Sequence, residues 1–299
     1  MSVHDSTGAV SFASSPCAVE SFGVVRVPVD ELNGLRKSPG PPLARKIAPS
    51  LLKHADSQTL LGLSAVLDAI ARAGWGDRSF EDWGVVAAPR FLGRFVLAAA
   101  IERFQQMGPL SVSPLLTATL SLHAVAGSLS LALKAHGLHY GVGGGCGHVA
   151  EGLMAALAAG QERGVAGVWL VATGFSPEPI PDTAGQSTTD STGYAVALAL
   201  NPHATASAAR LNLRIVPAAP LERGGSDPVE RDSNGCLAMS DLVGLAEFLA
   251  PVRAVTPAPS ARQRGWYLPL SSGGALALED DAARGRDAGD GDRLAACAG

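Results

Sequence analysis

Residues 112–174 read VSPLLTATLSLHAVAGSLSLALKAHGLHYGVGGGCGHVAEGLMAALAAGQERGVAGVWLVATG, and the fold turns on them. Their pattern predicts a buried apolar helix, a turn, a short strand, a glycine-rich turn carrying Cys146, a second helix, and a second strand over Val168–Ala172. Cys146 falls where a strand gives way to a helix N-terminus. There the unpaired backbone N–H groups and the helix dipole favour a thiolate. Gly144, Gly145 and Gly147 let the backbone come close to whatever sits beside that sulfur.

Upstream, Ser57–Gly74 is an amphipathic helix, with Leu60, Leu63, Leu67 and Ile70 at helical spacing and Gly74 placed to end it. Trp83–Ala88 is a short, continuously apolar strand of the kind buried in a parallel sheet, and Phe91–Met107 reads as a helix. Phe22–Val29 has strand alternation, with Pro28 pointing to a sheet edge. Alternating strands and helices argue for an α/β layer architecture. Downstream, Tyr194–Leu200 and Ala209–Val216 read as two antiparallel strands closing this unit. A helix near Ser240–Leu249 and a strand pair near Trp266–Leu270 and Ala275–Leu278 follow. The expected organisation is a disordered tail over 1–20, an α/β domain over 21–216, a reduced segment over 217–279 packing on it, and a disordered tail over 280–299.

The chain has 299 residues, 47% of them hydrophobic and 17% charged, which is ample material for a core. A net charge of −4 gives no electrostatic case for nucleic acid or an anionic membrane surface. The N-terminus lacks the pattern of a signal peptide, and no apolar run is long enough to span a bilayer. Four cysteines, Cys17, Cys146, Cys236 and Cys297, show no spacing that suggests zinc or a redox dithiol. Cys17 and Cys297 fall in the expected tails. A cytoplasmic protein with reduced thiols, no metal and no cofactor is the expectation.

Several segments together carry a resemblance: Ser121-Leu122-His123-Ala124-Val125-Ala126-Gly127, Gly144-Gly145-Cys146, Gly152-Leu153, and the strand Val168–Ala172 leading into Ser-Pro-Glu-Pro. With Ser57–Gly74 and Trp83–Ala88, they make roughly residues 45–200 resemble the β-ketoacyl synthases of the thiolase superfamily. The match is to the truncated N-terminal-domain type that accompanies aryl-polyene-type ketosynthases as a chain-length-factor-like partner. The resemblance implies a thiolase-like layered α-β-α fold, with one nearly complete N-terminal half and a reduced second half. It also implies pairing with a full-length ketosynthase, or with a second copy, in fatty-acid or polyketide-type chain elongation. An acyl carrier protein would be a further partner, and the subunit would shape the acyl tunnel.

In intact members of that family the pattern implies a cysteine nucleophile that accepts the acyl group, and two histidines that assist decarboxylation. Cys146 stands at the nucleophile position. The His-Gly-Thr-Gly-Thr and Asn-x-Gly-His motifs that would supply the histidines do not occur here; after Cys146 only His148 and His203 remain. Two readings of Cys146 therefore stand: an acyl-accepting thiol assisted by His148 or by a partner's groups, or an inert small hydrophobe in a degenerate site. A catalytically dead homodimeric scaffold is a third reading of the whole chain. The interface expected from the resemblance is the strand before Cys146 and the helix carrying His123, Gly127 and Leu131. His123 reads as a core or interface histidine. The basic segment Arg36–Lys46 reads as a solvated loop, or as a docking place for an acidic carrier protein.

Overall fold

The computed structural model describes residues 17–41, 47–114, 116, 120–179, 190–203, 211–216, 265–269 and 275–280. In chain order the elements are β1 (Ala18–Pro28), a 3-10 turn (Val29–Glu31), α1 (Leu32–Leu35), α2 (Pro49–His54), α3 (Ser57–Ala73), β2 (Trp83–Pro89), α4 (Arg94–Met107) and a 3-10 turn (Pro109–Ser111). They continue with α5 (His123–Leu133), β3 (His139–Gly141), α6 (His148–Gly160), β4 (Gly167–Ser176), β5 (Thr192–Asn201), β6 (Leu211–Val216), β7 (Gly265–Pro269) and β8 (Ala275–Asp280).

Every residue of β2 is buried, as a continuously apolar strand covered on both faces must be. β2 pairs in parallel with β4, from Trp83↔Gly167 to Pro89↔Thr173, and with β3 through Val85↔His139 to Ala87↔Gly141. β5 runs antiparallel to both β4 and β1, giving a five-stranded sheet in the order β1-β5-β4-β2-β3. Alternation along β4 sorts its side chains between two cores. Trp169 and Val171 face α3 and α5, while Val168, Leu170 and Ala172 face α6. A second sheet, β6-β8-β7, lies on the α6 side, where its Leu268 and Leu276 join the core with Val149 and Leu153.

Helix α3 illustrates how local chemistry fixes an element. Asp56 caps it, its carboxylate accepting from the N–H groups of Gln58 at 2.8 Å and Thr59 at 3.1 Å, and Gly74 ends it in the left-handed conformation at φ 69°. Leu60, Leu61, Leu63, Val66, Leu67 and Ile70 are all buried, each contributing about 2 kcal/mol by leaving water. Helix α6 lies so close to the sheet that a Cβ at Gly152 would come within 2.7 Å of the Ala88 Cβ. At the N-terminal ends of β2 and β4, Phe80, Trp83 and Trp169 pack with Trp75 in an edge-and-tilt cluster, ring centroids 5.2–6.5 Å apart. The Arg78 guanidinium stacks 4.1 Å from the Trp75 ring centroid.

These elements match the α/β expectation, and β1 is an edge strand as Pro28 suggested. Two readings are corrected. β1 starts at Ala18, so Cys17 is buried against the sheet and not in a tail. Its burial, with the Glu20 carboxylate adding to the effect, pushes the thiol up to about 12. β5 and β6 do not pair with one another: β5 is enclosed by β1 and β4, and β6 joins β8 in the second sheet. The strand pair β7–β8 forms as expected, with β8 in the middle of its sheet. The helix expected near Ser240–Leu249 and both tails beyond residues 17 and 280 lie outside the described residues. Among the described residues no helix is long and apolar enough to cross a membrane.

Candidate functional site

The parallel strands β2, β3 and β4 all end on one side of the sheet, the place where open α/β sheets hold their ligands. Beyond β3 the chain stays beside β2. Val142 N–H donates to Ala87 O at 2.9 Å, and Phe91 N–H donates to Gly144 O at the same distance, so Arg90 and Gly144 form a bridge. Gly143 and Gly144 have φ of 81° and 99°, the region that favours glycine, and turn the backbone into α6. Gly147 is the N-cap of α6 and accepts from Glu151 N–H at 3.0 Å, while Gly145 has open space where a Cβ would stand.

Cys146 sits half-buried on this turn and is disulfide-bonded. This departs from the expectation of reduced thiols; in this state the sulfur is not a nucleophile. His148, two residues on, is fully buried, and neither ring nitrogen has a hydrogen-bond partner. Burial, reinforced by the Arg90 guanidinium, lowers its pKa to about 3. The Gly145 and Cys146 carbonyls favour the charged ring slightly, but neither meets hydrogen-bond geometry and burial outweighs them. The imidazole is therefore neutral at physiological pH. The structure brings Cys146 and His148 onto one turn without a hydrogen bond between them.

Beneath the turn lies a polar network that the sequence reading missed. Arg90, fully buried, follows β2 and ties it to β4, to the segment after β4 and to α3. Its N–H donates to Thr173 O at 2.7 Å, its guanidinium donates to Phe175 O at 2.5 Å, and Glu178 lies 3.6 Å from the same nitrogen. Gln58 of α3 donates to Arg90 O at 2.8 Å and accepts from the Thr173 hydroxyl at 2.7 Å. The available signals were an arginine directly after the apolar run WGVVAAP and a glutamate between two prolines.

The residues expected at an interface lie elsewhere, beside the β3 edge. His123 is the first residue of α5 and is exposed, so it is not a core histidine; its ring centroid stands 5.2 Å from that of His139. Gly127 lies one turn on, and Leu131 is 75% exposed. His203 is far from Cys146, its ring against Val165 O at the opposite end of β4. A further concavity of about 640 Å³ is lined by Arg36, Lys37 and Lys53 over Ile47, Leu52 and Leu67. Arg36 is held there by donating to the carbonyls of Leu52 and Ala55, each at 2.8 Å. Among the described residues no group of three or more His, Cys, Asp or Glu is placed to hold a metal ion.

No protein-family model matches the sequence, and no curated protein does. Among solved structures, one chain of a ketosynthase (ApeO) in complex with its chain length factor (ApeC), from Xenorhabdus doucetiae, superposes with a TM-score of 0.51 at 14% identity. The match covers 88% of this chain and 99% of that one. The fold is that of the ketosynthases. Lower-scoring likenesses are the ishigamide ketosynthase/chain length factor, at TM-score 0.43, 16% identity and 67% of each chain, and a β-ketoacyl synthase from Burkholderia phymatum. The latter has TM-score 0.42 and 14% identity, covering 62% of this chain and 59% of that one. On this ketosynthase fold, Cys146 and His148 share the turn framed by Gly144, Gly145 and Gly147. His123, Gly127 and Leu131 occupy a separate face at the sheet edge.

Proposed function

We propose that this chain is a chain-length-factor-like subunit that pairs with a full-length ketosynthase in fatty-acid or polyketide-type chain elongation and shapes its acyl tunnel. The observation that carries the reading is the state of the Cys146 turn. The sulfur is engaged in a disulfide, and the neighbouring imidazole is buried, neutral and unpartnered. A condensing site needs a free thiolate and polar groups aimed at developing charge, and the described residues around this turn supply neither.

Surface chemistry supports pairing. β3 ends the sheet with an open edge of three residues, and Leu131 and Leu138 are exposed beside it. On α4, Leu97, Ile101, Phe104 and Met107 recur at helical spacing, all exposed, a stripe that a partner could cover. The basic rim at Arg36, Lys37 and Lys53, on a chain whose net charge is −4, suits an acidic carrier protein.

The second reading, an acyltransferase with Cys146 as the acyl-accepting nucleophile, is favoured by one observation: the sulfur stands at the start of a 13-residue helix. Native mass spectrometry of the tagged chain, purified from its own host, separates the two. A stoichiometric complex with a ketosynthase, broken by Leu131→Glu and indifferent to Cys146→Ala, is the expected result. A homodimer carrying an acyl adduct that vanishes in Cys146→Ala would overturn it and make the chain an enzyme. A stable symmetric homodimer with neither adduct nor ketosynthase would point to the scaffold reading instead.

A further inference from the structure

The edge of the first sheet, on the face read above as a pairing surface, carries two imidazoles whose metal-binding chemistry pairing does not call on. His123 opens α5, His139 opens β3, and both are exposed. Their ring centroids stand 5.2 Å apart with the planes inclined by 34°. His139 Nδ1 lies 3.2 Å from the Gly137 carbonyl oxygen. As the donor in that bond Nδ1 keeps the proton, and Nε2 is left with its lone pair free. Metal-ligating histidines are usually oriented in this way, by giving their second ring N–H to a carbonyl. The His123 ring lies over Gly127, where a Cβ would come within 3.2 Å of Nε2, so the glycine leaves that ring its room.

Two imidazoles on one tetrahedral ion, at metal–nitrogen distances of about 2.0–2.1 Å, hold their ring centroids about 5 Å apart. That is the spacing seen. We propose that His123 and His139 form a two-histidine site for a divalent transition-metal ion of the zinc class. Imidazole nitrogen suits zinc, nickel and copper and discriminates against magnesium and calcium. With two protein ligands, water fills the remaining positions, and the ion stays open to a further donor. Both ligands come from this chain, so the site needs neither Cys146 nor a partner, although a partner on the β3 edge would lie beside it.

The test is a calorimetric titration of the full chain with zinc chloride, repeated with cobalt chloride while following its visible absorption. The variants are His123→Ala, His139→Ala and, as a control, His136→Ala, which removes an exposed histidine three residues from His139. All three substitutions are at exposed positions, and far-UV circular dichroism checks their folding. The proposal expects one ion per chain, with affinity weakened at least about tenfold in His123→Ala and in His139→Ala and unchanged in His136→Ala. It also expects no competition from magnesium. Absence of a saturable site, or binding that survives both single variants, overturns it. So does a loss confined to His136→Ala.

Discussion

Lowering the pH from 7 to 5 should cost the folded protein about 2 kcal/mol through one side chain, His148. In the unfolded chain this imidazole takes up a proton below its ordinary value of 6.5; in the fold, burial and the Arg90 guanidinium hold the pKa to about 3. Between those two values the unfolded state binds the extra proton, so stability falls as pH falls. The slope is about 1.4 kcal/mol per pH unit, which over the 1.5 units from 6.5 to 5 gives about 2 kcal/mol. Asp56 works in the opposite direction, since its burial raises its carboxyl pKa and favours the fold in acid. That contribution is common to wild type and variant and cancels in a comparison. The assay is urea denaturation of wild type and His148→Leu at pH 7, 6 and 5. The stability difference between them should shift by about 2 kcal/mol against the wild type from pH 7 to 5. A pH-independent difference would refute the reasoning, because it would mean that His148 protonates in the folded protein as readily as in the unfolded one.

The Arg90–Glu178 pair is buried on both sides, so Glu178→Gln should destabilise the chain by about 3 kcal/mol or more, read as a lowered thermal midpoint. Gly152→Ala should cost about 1–3 kcal/mol by pushing α6 off Ala88 and the Leu170 side chain, whereas Gly145→Ala, with open space at its Cβ, should leave stability within about 0.5 kcal/mol of wild type; paired denaturation curves check both. Asp56→Ala removes the cap of α3 and should cost about 1 kcal/mol, with protection of the Gln58 and Thr59 amides falling in hydrogen exchange.

The sheet was legible because its signals are local. A continuous apolar run with no polar break, as in Trp83–Ala88, has to be covered on both faces, and that condition already implies a parallel sheet between helix layers. Ser57–Gly74 was legible for the same reason, with spacing, cap and terminator all within one segment. The pairing of β5 was not, because an antiparallel strand looks the same whether its neighbour is the next strand or the first. β1 takes the place beside β5 because both strands pack on α3, and nothing within either segment announces that. At the Cys146 turn, the glycines and the sulfur were visible in sequence. The Arg90–Gln58–Thr173–Glu178 network was not, since its contacting pairs lie 32 to 115 positions apart along the chain and meet only when α3, β2 and β4 converge. For His123 the apolar neighbours left core and interface both open; it begins the helix, where side chains escape the packed face, and that removes the core alternative.

Three of the four tryptophans, Trp75, Trp83 and Trp169, stand in the cluster at the N-terminal ends of β2 and β4, and the fourth, Trp266, lies on β7 in the other sheet. Indoles this close exchange excitation and give coupled bands in near-ultraviolet circular dichroism, a signal that lasts only while the large sheet is intact. Trp266→Phe leaves the clustered indoles as the sole source of tryptophan emission, so the variant isolates the melting of the large sheet from that of the whole chain.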